Sequence, residues 1–172
     1  MHVFLTGPVQ IGKSTLIAAA LEQLRPERLG GFRTVSAKPE ADGSRPVYLH
    51  PAAAHDLLCE VYNRGGIRQP ALGIASFPDA FETAGLAALE GAEDCDLILM
   101  DEIGRMERHA EGYSARIRTL LDGAVPILGV VQKKADTPLA GHIRSHPNVC
   151  LLEVSEENRD TLLPELLRAL RA

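Results

Sequence analysis

The chain has 172 residues, 45% of them apolar and 24% charged, with a formal net charge of −5. A chain of this length suits one domain that buries roughly 70% of its unfolded surface. No apolar run is long enough for a membrane span, and the acidic balance argues against unspecific binding to nucleic-acid phosphates.

Residues 2–6 form a short apolar run that ends in a glycine, the pattern of a buried strand. The opening MHVFLTG has no basic region of the kind that starts a signal peptide, so a cytoplasmic location is expected. Residues 13–24 read as a helix, because Leu16, Ile17, Ala20, Leu21 and Leu24 recur at spacings of three and four. Pro26 ends it. Residues 31–36 and 46–50 read as two strands of a hairpin around the turn-rich 39–44. A helix is expected over 52–61, a turn over 63–66, and a further helix over 78–91 with Pro78 near its first position.

Residues 96–100 form a second buried strand that runs into Asp101-Glu102. A helix over 112–121 follows, then core strands over 125–131 and 149–154. Ser155 to Asn158 reads as a helix start, and residues 159–170 as the closing helix. Strands thus alternate with helices, which predicts a mostly parallel sheet covered on both faces, in one domain over 1–172.

Gly7-Pro8-Val9-Gln10-Ile11-Gly12-Lys13-Ser14 matches the phosphate-binding pattern GxxxxGK[ST], with Thr15 following. The backbone N–H groups of such a loop wrap phosphate oxygens, and the two glycines permit the close approach. The helix behind the loop points its N-terminus at the anion. Lys13 is expected to reach the β and γ phosphates, and the Ser14 hydroxyl to bind Mg²⁺. The motif stands between an apolar strand and an amphipathic helix, the context that this chemistry requires.

Hydrolysis needs more than a phosphate cradle. Asp101 and Glu102 end an apolar strand, where ligands of open α/β sheets bind. Asp101 is the candidate Mg²⁺ ligand and Glu102 the candidate general base for an attacking water. Two readings compete. Asp101-Glu102-Ile103-Gly104 also fits the DxxG of switch GTPases, and Lys133-Lys134-Ala135-Asp136 stands where a guanine-reading NKxD would lie, with Lys133 in the Asn position. The long gap from Ser14 to Asp101 leaves room for a strand inserted between the two sites. That gap and the Glu after the Asp favour the ATPase-like division.

The loop, Asp101-Glu102-Ile103-Gly104-Arg105-Met106-Glu107, Glu157-Asn158-Arg159-Asp160 and Gly31-Phe32-Arg33-Thr34 together resemble the small P-loop nucleoside-triphosphatase family typified by the cancer-related NTPase, over nearly the whole chain. The resemblance implies a three-layer, RecA-like α/β fold and Mg²⁺-dependent hydrolysis of several triphosphates (ATP, GTP, CTP, UTP) to NDP and phosphate. It also implies that Asn158 and Arg159 lie near the nucleotide base, although Asn158 reads equally as the cap of the last helix. Departures are Gln10 where the family has glycine, Val35 and Ser36 where it has acids, and the dissimilar stretch 35–77.

Arg105, just past the catalytic strand, is a candidate for neutralising γ-phosphate charge or, equally, a solvated surface arginine. Arg33 and Arg45 are weaker candidates, and the role of Glu107 is open. Cys59, Cys95 and Cys150 are too scattered for a CxxC pair and read as thiols of a reducing compartment. His142 and His146 stand at i,i+4 without the Glu of a metalloprotease motif, so no metal is assigned to them. An aromatic content of 4% with no Trp leaves no stacking platform for single-stranded nucleic acid. The functions left in play are an NTPase, a nucleotide or nucleoside kinase with residues 51–77 as acceptor site and lid, at which only Arg64 and Arg68 hint, and a nucleotide-controlled binding module.

Overall fold

The computed structural model describes residues 1–54, 57–64 and 77–172. Seven strands form one sheet: β1 (His2–Thr6), β2 (Leu29–Ser36), β3 (Pro46–Pro51), β4 (Cys59–Asn63), β5 (Leu97–Ile103), β6 (Ile127–Val131) and β7 (Val149–Glu153). Their order is β4-β3-β2-β5-β6-β1-β7. β2, β5, β6, β1 and β7 run parallel, and β3 and β4 add an antiparallel edge beside β2.

Alternation along the central strands builds two cores. Phe4, Ile98 and Met100 point to one face and Val3, Leu5, Leu97 and Leu99 to the other. On the second face lie α1 (Lys13–Leu24) and, near the C-terminus, α6 (Leu163–Arg171), which bury Leu16, Ile17, Leu166 and Leu170. The first face is covered by a helix that runs from α2 (Phe77–Ala80) through a π-helical turn (Phe81–Gly85) into α3 (Leu86–Ala88), and by α4 (Glu111–Leu121) and α5 (Pro138–Ser145). Tyr113 of α4 meets Phe32 and Phe81 there, with ring centroids 5.7 and 5.2 Å away. The result is the expected three-layer, mostly parallel α/β sandwich.

Four local expectations change. Residues 59–63 of the expected helix over 52–61 and turn over 63–66 form strand β4, which pairs with β3; residues 55–56, 65 and 66 lie outside the described residues. α5 was not anticipated, although Thr137 caps it by accepting the Ala140 N–H at 3.3 Å and Pro138 opens it. The closing helix begins at Leu163, after a series of turns over 156–161. Asn158 therefore caps no helix: its Oδ1 accepts the Ser155 N–H at 2.8 Å and its Nδ2 donates to the Glu153 carbonyl at 2.9 Å.

Among the described residues no helix is long and apolar enough to cross a membrane. The three cysteines are half-buried, unpaired thiols. The His142 ring packs against His146 at 5.3 Å, and no group of three or more His, Cys, Asp or Glu among the described residues is arranged to hold a metal.

His2 ties the sheet to a helix end at the side away from the phosphate loop. Its Nε2–H donates to the Leu121 carbonyl at 2.8 Å, and its Nδ1 accepts the Ile127 N–H at 3.2 Å. The bond from Ile127 requires the neutral ring, whereas the bond to Leu121 survives protonation. Burial lowers the pKa of His2 below the usual imidazole value; the N-terminal charge and His146 act in the same direction, and the bond to Leu121 opposes them. The folded state therefore binds this proton less readily than the unfolded chain. Its contribution is complete above about pH 6.5 and is lost as pH falls below that. His2→Ala should cost about 1–3 kcal/mol at pH 7.5, and thermal melts of the two proteins side by side should show that cost shrinking as pH falls to 5.

Candidate active site

The loop between β1 and α1 lies at the C-terminal edge of the parallel strands. Gly7 has φ 142° and packs so closely on β7 that a Cβ would lie 2.5 Å from the Val154 carbonyl oxygen. Gln10 takes φ 62°, a left-handed conformation that a glycine would enter freely and that costs a glutamine about 1–2 kcal/mol. Lys13 Nζ donates to the Gly7 and Pro8 carbonyls at 3.1 and 2.6 Å, closing the loop over its own backbone. Burial lowers the Lys13 pKa, and the Glu102 and Asp101 carboxylates partly restore it.

Asp101 and Glu102 end β5, where the pairing with β6 shifts register between Met100 and Ile103. Glu102 has φ 67°, a left-handed conformation that costs a non-glycine residue about 1–3 kcal/mol and recurs at functional sites. Its Oε1 accepts Gln132 Nε2–H at 2.7 Å, and its Oε2 lies 4.0 Å from Arg64 Nη2. Asp101 is pushed up to about 6, first by burial and then by Glu102; Arg33 and His50 act against this. The Thr34 hydroxyl donates to the Asp101 carbonyl at 3.1 Å, which fixes the end of β5 to β2.

Two adjoining clefts, about 500 and 560 Å³, meet at Val9, Lys13, Arg64, Glu102 and Val130. The second contains Ser14, Thr15, Asp101 and Arg45 as well. Its donors suit a hard cation. Ser14 and Asp101 offer oxygen ligands, and so small a protein ligand set fits Mg²⁺, which keeps waters and phosphate oxygens around it. A third cleft, on the far side of the loop, is lined by Gln10, Gly12, Thr15, Arg159 and Asp160. The Arg159 Cδ stands 3.9 Å from where a Gly12 Cβ would be. Asn158 shapes the turn that carries Arg159 and is not itself in that cleft. A further groove of about 690 Å³ between α1 and α6 holds none of the motif residues.

Arg105 borders the first cleft, but its Nη2–H donates to the Lys134 carbonyl at 2.8 Å and its Nε lies 3.8 Å from Asp136. Asp136 also pairs with Arg108 at 2.8 Å, and Lys133 pairs with Glu153. Lys133 and Asp136 are thus both engaged by the protein's own charges. Glu107 is buried and accepts the Gly104 N–H at 2.7 Å; burial raises its pKa to about 7, against the pull of that bond. It supports the loop after Glu102 and has no part in an Arg105 pair. Residues 65–76 of the kinase acceptor region, Arg68 included, lie outside the described residues.

β6 stands between β1 and β5, so a strand does separate the two motifs. It comes from residues after Asp101, however, and the long Ser14–Asp101 gap is filled instead by β2 to β4 and the helices that follow them. Sequence reading overlooked Gln132 and gave Arg64 no role at phosphate. Gln132 had a signal: it is the first polar residue after the apolar run of β6, at the same sheet edge as Asp101 and Glu102.

The profile of the NTPase family matches residues 2–167. The chain is 34% identical over 177 residues to nucleoside-triphosphatase THEP1 of Thermotoga petrophila, covering 99% of this chain and 93% of that one. It is 29% identical over 198 residues to the human cancer-related nucleoside-triphosphatase, covering 99% and 97%. The solution structure of a human cancer-related nucleoside triphosphatase superposes with a TM-score of 0.62 at 27% identity, over 99% of this chain and 97% of that one. The crystal structure of THEP1 from the hyperthermophile Aquifex aeolicus gives 0.68 at 23% identity over all of both chains and speaks for the fold alone.

The approach of Gly104 to Gln132 supplies a test of the Gln132–Glu102 contact. A Cβ on Gly104 would lie 2.0, 2.2 and 2.6 Å from Gln132 Oε1, Cδ and Cγ, so the whole Gln132 side chain must turn away from its place. Gly104→Ala is expected to shift the Gln132 side-chain amide resonances in a ¹H–¹⁵N spectrum as Glu102→Ala does, while the melting temperature changes by only a few degrees.

Proposed function

The chain belongs to the NTPase family, and from that premise we propose that it hydrolyses nucleoside 5′-triphosphates to the diphosphate and inorganic phosphate with Mg²⁺, using Glu102 as general base. The observation that carries this reading is the position of Glu102. Its carboxylate borders the same clefts as Lys13, is held by Gln132, and is turned out of the β5 ladder by its left-handed backbone.

Lys13 and the loop N–H groups bind the phosphates, and the fixed loop shape orients the γ-phosphoryl group toward Glu102. Mg²⁺, held by the Ser14 hydroxyl and the Asp101 carboxylate, would neutralise charge on the β and γ oxygens. Glu102 accepts a proton from a water. The water oxygen bonds to Pγ, the bond from Pγ to the β–γ bridging oxygen breaks, and its electron pair leaves with the diphosphate. The cleft containing Arg159 and Asp160 receives the base, and nothing in it demands one particular base.

Support against the switch reading comes from Lys133 and Asp136, which are engaged with Glu153, Arg105 and Arg108. The test is Mg²⁺-dependent phosphate release from ATP, GTP, CTP and UTP. All four are expected to be cleaved, with EDTA abolishing turnover. Lys13→Ala should lose affinity, and Glu102→Gln should bind nucleotide while turning over at least about 100-fold more slowly. Release that requires a nucleoside or nucleotide acceptor would replace this reading with a kinase. Binding of GTP alone, with Glu102→Gln unchanged, would replace it with a switch.

A further inference from the structure

Transfer of a phosphoryl group spreads negative charge over three equatorial oxygens, and an arginine at those oxygens commonly contributes 10³–10⁵ in rate. Arg105 is the residue that its sequence position offers for this task. Its guanidinium is committed elsewhere, to the Lys134 carbonyl and Asp136. Arg64 stands on the other side of Glu102, at the end of β4. It borders both phosphate-side clefts, as Lys13 and Glu102 do.

Its backbone is fixed and its head group is not. The Arg64 N–H donates to the Arg45 carbonyl at 2.9 Å, and the preceding Asn63 accepts the Arg45 N–H through its Oδ1 at 3.1 Å. These bonds anchor the Cα of Arg64 to the end of the β3–β4 pair. The side chain is 41% exposed, and its one ion pair among the described residues is the 4.0 Å approach to Glu102. That is a weak tether, since an exposed pair contributes about 0–1 kcal/mol. A triphosphate in the cleft would offer a denser negative charge and the planar, two-pronged geometry that guanidinium matches.

We propose that Arg64 is the arginine that contacts the γ-phosphoryl oxygens, exchanging its place beside Glu102 for the phosphate when nucleotide binds. The proposal rests on the NTPase reading above. It makes two things happen at one moment. Glu102 loses the cation that competes with a water for its Oε2, and the phosphoryl group gains a charge that strengthens as the transition state forms.

The experiment measures kcat, nucleotide affinity and transition-state capture together. Arg64→Ala should lower kcat about 10³-fold and change the affinity for a non-hydrolysable triphosphate less than about tenfold. Arg64→Lys should recover only part of the loss, because ammonium lacks the paired donors. Mg²⁺, aluminium fluoride and a fluorescent diphosphate should form a slowly dissociating complex with the natural protein and not with Arg64→Ala. A purely structural Arg64 would lower kcat and leave that capture intact. The proposal is overturned by undiminished capture, by Arg64→Ala retaining kcat within about threefold, or by Arg105→Ala causing the larger loss. If the natural protein releases no phosphate at all, the NTPase reading fails and takes the proposal with it; an active natural protein with an active Arg64→Ala refutes the proposal alone. Should Arg64→Ala fold poorly by circular dichroism, Arg64→Lys and Arg64→Gln carry the same comparison.

Discussion

Strand β6 lies between β1 and β5, which sets the phosphate loop and the Asp101–Glu102 pair two strand spacings apart, about 10 Å. The arrangement of the site follows from that width. A gap of that width is of the order of a phosphoryl group with a water beside it, and the end of β6 delivers Gln132 into it. Gln132 then reaches Glu102 across the sheet edge.

The same edge carries a concentration of imperfectly matched charge. Lys13 turns back on its own loop carbonyls, Asp101 is buried beside another acid, and Glu102 holds a left-handed backbone. The proximity of the two acids and the left-handed backbone are unfavourable for the protein alone. The surrounding structure absorbs the cost. Glu107 and Thr137 grip Gly104 through its N–H and its carbonyl, and two apolar cores brace the strands from both faces. Stability is thus generated in the cores and given up at the sheet edge where chemistry is needed.

The central strands were legible because they are buried on both faces and read as unbroken apolar runs. The phosphate loop and the Asp101-Glu102 pair were legible because the chemistry dictates residue types at set spacings. β4 was not legible. Ala52 to Ala54 and Leu57-Leu58 look helical, and an edge strand such as Cys59–Asn63, with Glu60 and Asn63 turned into the structure, has no simple alternation. Of the two readings of Asn158, the helix cap fails, because a polar residue ahead of an apolar helix has that appearance while its side chain bonds to Ser155 and Glu153 in the turn that carries Arg159. Arg64 was legible only as a hint of a kinase lid, since its place beside Glu102 depends on the antiparallel pairing of β3 with β4, a long-range contact that local pattern does not report.

The central claim is that water held by Glu102 attacks the γ phosphorus. It is tested most directly by running a single turnover of ATP in ¹⁸O-labelled water and weighing both products by mass spectrometry. The account predicts one ¹⁸O in the inorganic phosphate and none in the ADP, because the water oxygen bonds to Pγ and the bridging oxygen leaves with the diphosphate. Label in the ADP, or phosphate that carries no ¹⁸O, would contradict it.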